Sequence, residues 1–284
     1  MKTIILDHDA GTNPDDFFSL LMLLNAPDVD LKLVISGNNY PMERARFVQK
    51  IIEQHGKQGV TVCAGETAGT IDFNAHQYIE AYEPTISNDY LPEIKQVLDT
   101  CGDVTYLSIQ GLSNLATFLQ LHPEYKDTFD VVHMGMKLTT GDEFVSGGTN
   151  MEANALAAKY IYELGLERFK VVGSHTTIND AIRITPDTEL YKKLEASHHP
   201  NHQMLLAHLH DYYKRRDMWP ALHDPLTTSV ALGCNFVSFR NYQVEFDAEG
   251  RYRLCADDAW VRLCNSEVAI NQPEEFMKLV VELV

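Results

Sequence analysis

The sequence lacks the features that mark disulfide-rich, zinc-binding and membrane proteins. Its five cysteines are odd in number and show no Cys-x-x-Cys spacing, which argues against a disulfide framework and against a zinc site. No segment approaches the roughly 20 consecutive apolar residues of a membrane-spanning helix. The first predicted strand begins at Thr3, with no basic region, apolar leader segment or cleavage motif before it. These features predict a cytoplasmic protein that does not bind membranes.

Basic residues are scarce relative to acidic ones. The chain has 23 Lys and Arg against 40 Asp and Glu, a formal net charge of -17. Nucleic acids and anionic membrane surfaces would repel such a protein, so neither is expected as a partner. A bound cation and a small neutral substrate are compatible with this charge.

Linkers, low-complexity tracts and internal repeats are also absent, and strand-like and helix-like segments alternate instead. The predicted strands lie at 3–6, 31–35, 60–63, 104–109, 131–134 and 169–172, and a β-hairpin is predicted at 242–255. Thr185 followed by a proline predicts the start of a later helix. Repeated βα units with short connections favour a parallel sheet. We therefore predict an α/β fold over residues 1–284, a single-domain open, mostly parallel sheet with helices on both faces.

Four aspartates lie within ten residues at the end of the first strand. Asp7 and Asp9 end its apolar run, and Asp15 and Asp16 follow a glycine-containing turn at the start of an apolar helix. Ligands of open α/β sheets bind beyond the carboxyl ends of the strands. Carboxylates crowded together repel one another unless a cation neutralises them. Oxygen-only ligands suit a hard divalent ion, Ca²⁺ or Mg²⁺, so this segment predicts a metal site.

The same segment is also a well-formed helix start. Asn13 would be the N-cap, Pro14 would be the first helical residue, and the two acids that follow would interact favourably with the helix dipole. Capping accounts for these two acids and leaves the two strand-end aspartates unexplained. The local sequence by itself leaves metal binding and helix capping open.

Polar motifs follow later predicted strands and helices in a fixed order. They are Gln-Gly-Leu-Ser-Asn at 110–114, Met-Gly-Met at 134–136, Gly-Gly-Thr-Asn at 147–150 and His-Asp-Pro at 223–225. Together with the opening acids, they resemble the inosine–uridine nucleoside hydrolase family. That family has Asp-x-Asp and Asp-Asp around a glycine turn, then G-P-L-T-N, M-G-G, A-E-F-N and H-D-P. Each motif is weak by itself, but five in register from residue 3 to about residue 232 argue against chance similarity.

The resemblance implies an α/β enzyme that hydrolyses the N-glycosidic bond of a ribonucleoside or related N-riboside. One Ca²⁺ per chain would hold the ribose diol and a water. Its protein ligands, three carboxylates and one backbone carbonyl, would come from Asp9, Asp16, Asp224 and Ser113. Asp9 would also be the general base that activates the metal-bound water. Asp7 would orient its neighbours from behind the site.

The resemblance also implies the contacts of the substrate. Asp15, Asn38 and Asn150 would hold ribose hydroxyls. Met136 would contribute to the substrate site, and His223 would act as a catalytic residue facing the leaving base. The family further implies a small nucleoside-like substrate, a role in purine and pyrimidine salvage, and a homodimer or homotetramer.

These residue types suit the reaction. Cleavage of an N-ribosidic bond passes through an oxocarbenium-like state, which nearby anionic oxygens stabilise. A metal lowers the pKa of bound water, and a neighbouring carboxylate takes its proton. Calcium coordinates about six to eight oxygens, whereas Mg²⁺ accommodates such a high coordination number less well.

Other interpretations of the same residues stay open. His223 could cap the helix that begins near Asp224, and Asn38 could belong to an ordinary turn. A non-catalytic metal- and ribose-binding protein on the same fold is the alternative to an enzyme. A phosphatase-like hydrolase would require a lysine near the strand-end acids, for which only Lys137 is available.

The chain departs from the family pattern at two places. Five residues separate Asp9 from Asp15 where the family has three, and Ala10 replaces a proline. Gly148 replaces the glutamate of A-E-F-N, and Asp142 replaces an asparagine of the preceding loop. In the family these last two positions reach the 5′ end of the sugar. We therefore expect weak activity on inosine and uridine and better activity on a neutral 5′-modified nucleoside.

Overall fold

A computed structural model describes residues 1–138, 143–255, 261–264 and 270–284, the short piece 261–264 by its backbone alone. Within these residues, nine strands form one sheet in the order β3-β2-β1-β4-β5-β6-β9-β7-β8. The strands are β1 Lys2–His8, β2 Val29–Ser36, β3 Thr61–Ala64, β4 Val104–Ser108, β5 Asp130–Met134, β6 Phe169–Val172, β7 Phe239–Phe246, β8 Tyr252–Cys255 and β9 Val261–Cys264.

Most of the sheet is parallel. Each neighbouring pair from β3 to β9 in that order runs parallel, whereas β7 is antiparallel to both β9 and β8. The predicted α/β fold with an open, mostly parallel sheet is confirmed, and so is the hairpin formed by β7 and β8. The sequence analysis did not predict β9, which joins the hairpin to β6 and makes that edge of the sheet antiparallel.

Helices cover both faces of the sheet. They are α1 Asp15–Asn25, α2 Pro41–His55, α3 His76–Ile79, α4 Tyr90–Thr100, α5 Ser113–Leu121, α6 Thr149–Ala153, α7 Ala155–Glu163, α8 Ser174–Thr177, α9 Glu189–Ala196, α10 Pro200–Arg216, α11 His223–Ala231 and α12 Pro273–Leu283. One apolar cluster contains α1, α2 and α9 to α12, and a second contains α4, α5 and α7 on the opposite face. No helix in the described part of the chain combines the length and the apolar character needed to cross a membrane.

Strand β1 lies inside the parallel region, between β2 and β4. Its residues Ile4, Ile5 and Leu6 are at most 1% exposed, because helices cover both faces of the strand. The chain proceeds from β1 to β2 and β3 on one side and returns to β4 on the other side. This reversal creates a crevice at the carboxyl end of β1, where ligands of open α/β sheets bind. The strand-end acids lie at this crevice.

Two predicted helix starts differ from the structure. Helix α1 begins at Asp15 and no side chain caps it, so Asn13 does not have the capping role that the local pattern allowed. The predicted start at Thr185 is wrong, because the residues after it form a turn in which Thr188 donates its backbone N–H to the Thr185 carbonyl (3.0 Å). Helix α9 follows this turn, with the Thr188 hydroxyl as its cap.

Candidate active site

A cavity of about 390 Å³ lies beyond the carboxyl ends of β1, β4 and β5. Its walls are the loop after β1, the loop after β5 and the first turns of α1, α6 and α11. The residues that line it are Asp9, Thr12, Asn13, Asp15, Asp16, Ile71, Ile109, Met134, Gly135, Met136, Lys137, Gly147, Gly148, Thr149, Asn150, Ser174, Ile178, His223 and Asp224. The cavity therefore collects most of the side chains that the sequence motifs singled out.

Four carboxylates occupy one end of this cavity. One oxygen each of Asp15, Asp16 and Asp224 lies within 4.8 Å of the other two. Asp9 is next to this cluster, because its backbone N–H donates to Oδ1 of Asp16 (3.1 Å). All four residues are less than one-tenth exposed. The packing of α1 against α11 places the first turns of these two helices, and hence the three clustered carboxylates, side by side.

These carboxyl groups are difficult to ionise together. Burial first, and then repulsion by the neighbouring acids, raises the pKa of Asp16 and of Asp224 well above the usual value. Burial also raises the pKa of Asp9 and of Asp15. A divalent cation at this position would favour the charged forms, because it would place positive charge next to all of these carboxylates.

The donor set fits a hard cation. Every side-chain donor in the cluster is a carboxylate oxygen, the type that Ca²⁺ and Mg²⁺ prefer. Oδ1 of Asp15 is buried and has no hydrogen-bond partner among the residues that the structure describes. Buried polar atoms are normally paired, so this oxygen is available to a ligand.

Asp7 lies behind the cavity and does not line it. Its carboxylate accepts hydrogen bonds from the hydroxyl of Tyr106 (2.7 Å), from Nδ2 of Asn114 (2.8 Å) and from Nε2 of Gln110. Burial raises the pKa of Asp7 to about 7, although these bonds oppose the shift. Asp7 therefore connects β1 to β4 and to the start of α5. Two members of the 110–114 motif thus have a role that the sequence analysis did not foresee.

Ser113 is not among the residues that line the cavity. It opens α5, and its hydroxyl accepts a hydrogen bond from Nδ2 of Asn154 (3.1 Å). Ile109, the residue after β4, lines the cavity instead, and its carbonyl accepts a hydrogen bond from Nδ2 of Asn150 (3.2 Å). The sequence analysis missed Ile109 because a backbone oxygen leaves no trace in the side-chain pattern.

The predicted sugar contacts divide into two groups. Asp15, Asn150 and Met136 line the cavity, and Met136 is buried with a left-handed φ of 61°. Asn38 is buried outside the lining and donates its side-chain N–H to Oδ2 of Asp9 (2.8 Å). The structure therefore connects Asn38 to an aspartate of the site.

His223 lines the cavity beside the acids. Its Nδ1 lies 2.6 Å from the hydroxyl of Thr177. Burial lowers the pKa of His223, and the nearby Asp15 opposes this effect. No side chain caps α11, so the capping interpretation of His223 is wrong. Burial thus favours the neutral imidazole, and the contact with Thr177 determines its orientation.

The departures from the motif pattern are also located here. Gly148 lines the cavity with a φ of +84°, and a Cβ added to it would have no atom within 4 Å. The backbone of Lys137, also in the lining, is held by Tyr252, whose hydroxyl accepts from the Lys137 N–H (2.9 Å) and donates to its carbonyl (2.7 Å). Asp142 lies outside the described residues.

Comparisons with known proteins agree with this architecture. The family model described as inosine-uridine preferring nucleoside hydrolase matches residues 4–275. A probable uridine nucleosidase 2 of Arabidopsis thaliana is 24% identical, over 81% of this chain and 77% of that protein.

Two solved structures share the fold over almost the whole chain. A purine-preferring ribonucleoside hydrolase from Gardnerella vaginalis is 21% identical, with a TM-score of 0.80 over 99% of both chains. An inosine-uridine preferring nucleoside hydrolase from Bacillus anthracis is 18% identical, with a TM-score of 0.76 over 100% of this chain and 99% of that one.

Proposed function

The chain belongs to the inosine-uridine preferring nucleoside hydrolase family and is an N-ribosyl hydrolase, and from this premise we propose that its acidic cavity cleaves ribonucleosides or related N-ribosides with one Ca²⁺ per chain. The observation that carries the proposal is the group of four buried carboxylates at the carboxyl end of β1. Their cavity, about 390 Å³, is within the usual range for small-molecule sites.

The cation is assigned to Asp9, Asp16 and Asp224. Asp16 supports this assignment most strongly, since it belongs to the carboxylate cluster and also accepts the N–H of Asp9. The carbonyl of Ile109 replaces that of Ser113 as the proposed backbone ligand, because Ile109 lines the cavity. Ca²⁺ suits this set better than Mg²⁺, which requires near-ideal octahedral geometry.

Asp9 is the proposed general base. A cation held by Asp9, Asp16 and Asp224 would supply positive charge for the ribose diol and would lower the pKa of a nearby water. Asp9 then accepts the proton of that water, while the N–H donated by Asn38 limits the rotation of its carboxylate. The remaining negative charge of the cluster stabilises the positive charge that develops on the sugar.

The proposed substrate contacts come from two parts of the cavity lining, the acid cluster and the residues after β5 and in α6. The unpartnered Oδ1 of Asp15 accepts a ribose hydroxyl, and Asn150 and Met136 contact the sugar from the far side. The bond of His223 Nδ1 to Thr177 leaves Nε2 for the leaving base. Asp7 orients β1 behind the site and contacts no substrate.

An assay of the sugar that the purified protein releases from added nucleosides tests the proposal. When Ca²⁺ is present, we expect free ribose from at least one purine or pyrimidine ribonucleoside, or the matching 5-modified ribose from a 5′-modified riboside. Asp224→Asn should lose this activity, whereas Asp28→Asn, an exposed aspartate outside the cavity, should keep it. A protein that binds metal and ribosides but releases no ribose from any of them would be the non-catalytic binding protein instead.

The family relationship supports two further proposals. One is a homodimer or homotetramer, which light scattering at several protein concentrations would test. The other is a role in purine and pyrimidine salvage, which requires that a host dependent on external nucleosides grows less well without the protein.

A further inference from the structure

Arg44 is a fully buried cation that does not line the cavity. It belongs to the first half of α2 and is 0% exposed. Its guanidinium donates to oxygens of two loops and of the turn that precedes α2. The acceptors are Asp9 O, Ala10 O (3.0 Å), Thr12 Oγ1 (3.2 Å), Asn39 O (2.6 Å), Ile71 O (2.9 Å) and Asp72 O (3.4 Å). Both ends of the guanidinium fork are therefore occupied by protein.

Most of these acceptors are backbone carbonyls. Arg44 therefore holds the path of the two loops, 9–12 and 71–72, largely independently of their side chains. The planar guanidinium presents five N–H donors in a rigid fork, a geometry that a lysine ammonium cannot reproduce. Three of the bonded residues, Asp9, Thr12 and Ile71, line the cavity, and Asp9 is the proposed general base.

The loop after β1 needs such support. It is two residues longer than the family pattern, and it contains Gly11 at a φ of +108°. A Cβ at Gly11 would overlap the ring of Phe73, so the two loops are in direct contact. Asn74 donates its N–H to the Gly11 carbonyl (2.8 Å), and the Arg44 guanidinium lies 5.7 Å from the centre of the Phe73 ring.

Charge adds to this geometry. The guanidinium lies close enough to the cluster to stabilise the charged forms of Asp9 and Asp16. It does so without a direct bond to either carboxylate among the described contacts. Arg44 therefore does not occupy the carboxylate oxygens that would bind a cation, while its positive charge offsets part of the repulsion between the carboxylates.

We infer that Arg44 is a positioning residue of the reaction, which fixes the backbone of Asp9 and joins the two cavity loops into one rigid wall. This inference rests on the proposed role of Asp9. A direct substrate contact is not part of it, because the guanidinium is buried and its donors are engaged by protein. Misplacement of a reacting group by about 1 Å can cost 100-fold in rate, so a loose loop should be costly.

The test compares Arg44→Lys with a matched variant of the same helix. Lys50 also donates to a backbone carbonyl, that of Tyr78 (2.6 Å), and also lies over an aromatic ring, but it does not contact the cavity. We expect Arg44→Lys to lower kcat roughly 10- to 100-fold, with a smaller change in KM, and to weaken Ca²⁺ binding by a similar factor. Lys50→Met should keep both values within about twofold of wild type.

Amide hydrogen exchange gives a second readout, measured without substrate or cation. Peptides covering 9–14 and 70–75 should exchange at least about tenfold faster in Arg44→Lys, and peptides from β4 and β5 should not. Unchanged kcat, Ca²⁺ affinity and loop exchange, with only a lower melting temperature, would overturn the inference. Faster loop exchange with wild-type kcat would overturn it as well.

Thr12→Val provides the experiment if Arg44→Lys does not fold. Among the described contacts, it removes the side-chain acceptor of the guanidinium, together with the bond that the Thr12 hydroxyl donates to the Asp72 carbonyl, and it leaves Arg44 in place. Faster exchange at 9–14 together with a several-fold lower kcat supports the inference, and wild-type values for both contradict it. Failure of the wild type to bind Ca²⁺ or to release ribose is a separate result, which would overturn the proposed function and the assignment of Asp9.

Discussion

Hydrogen bonds from neighbouring residues restrict the movement of several ionisable side chains around the cavity. Asp9 is held by Asn38, His223 is held by Thr177, and Asp16 accepts the N–H of Asp9. The exception is Oδ1 of Asp15, which has no described partner. Asp9, Asp16 and His223 are thus oriented by neighbours, and one oxygen of Asp15 is left free to receive a ligand.

Asp9→Asn separates the ligand role of Asp9 from its role as a base. An amide oxygen can still contact a cation, but it cannot accept the proton of the attacking water. General-base catalysis is worth roughly 10²- to 10⁴-fold, so we expect kcat to fall by that factor while much of the bound metal remains. Steady-state kinetics and metal analysis on the same preparation measure both effects. Turnover near that of wild type would assign the base to another residue.

The prediction about the preferred substrate is based on Gly148. The family resemblance implies a glutamate that contacts the substrate at this position, and the structure has open space beside Gly148. Losing such a contact should cost ordinary ribonucleosides roughly 2–3 kcal/mol, tens- to hundreds-fold in kcat/KM. We therefore expect 5′-deoxy or 5′-alkylthio nucleosides to be cleaved faster than inosine and uridine. Fast cleavage of inosine with no 5′-modified substrate accepted would show that another residue replaces the glutamate.

Whole elements bring these residues together from distant parts of the chain. The first turns of α1 and α11 meet at the acids, and the positive ends of both helix dipoles point toward them. The hairpin of β7 and β8 supports the opposite wall through Tyr252. Val145 pairs with Tyr252 through two backbone hydrogen bonds (2.8 and 2.9 Å), and Gly147 packs against the Tyr252 ring.

Tyr252→Phe tests this support. Its hydroxyl is bonded to both the N–H and the carbonyl of Lys137, so its removal leaves two polar backbone groups without that partner. We expect the free energy of unfolding to fall by about 1–3 kcal/mol. Urea denaturation would measure it, with Tyr213→Phe, an exposed tyrosine stacked on Trp219, as the control. Equal effects of both variants would contradict the account.

The sequence predicted the elements well and the contacts only in part. Apolar runs ending in polar residues were sufficient to place the strands and the acids at one edge of the sheet. Strand β9 was missed because it pairs with β6 and β7, which are distant in the chain, and local periodicity does not record long-range pairing. Ile109 and the links from Arg44 and Tyr252 act on or through backbone atoms, for which side-chain motifs carry no signal. The 4.8 Å cluster depends on the packing of α1 against α11.

The stability of the whole molecule should depend on pH in a way that reflects the buried ionisable groups. Burial lowers the pKa of His8 and His133 to about 3 and of His208 to about 4, so these residues favour folding increasingly as pH rises toward 6.5, the usual histidine value. Asp7 and the cavity carboxyls have raised pKa values and act in the opposite direction above about pH 4. Below pH 6.5 the histidines and the carboxyls therefore have opposite effects on how the free energy of unfolding changes with pH.

Above pH 6.5 these buried histidines no longer change protonation, and the buried carboxyls continue to titrate. The folded protein then binds more protons than the unfolded chain, so the free energy of unfolding of the metal-free protein should fall as pH rises from 6.5 to 8. Added Ca²⁺ should raise the melting temperature more at pH 8 than at pH 6.5, because its ligands must be deprotonated. Thermal unfolding in chelator and in excess Ca²⁺ measures both effects. Greater stability at pH 8 in chelator would contradict the account.

The central claim is that one divalent cation, held by the aspartates of the cavity, is required for hydrolysis. Calcium titration of chelator-treated protein, monitored by calorimetry and by ribose release on the same samples, tests this claim most directly. We predict one Ca²⁺ per chain, return of turnover in proportion to occupancy, and no such binding in Asp16→Ala or Asp224→Ala. Full turnover in the chelated protein, or equal Ca²⁺ binding by wild type and both variants, would contradict it.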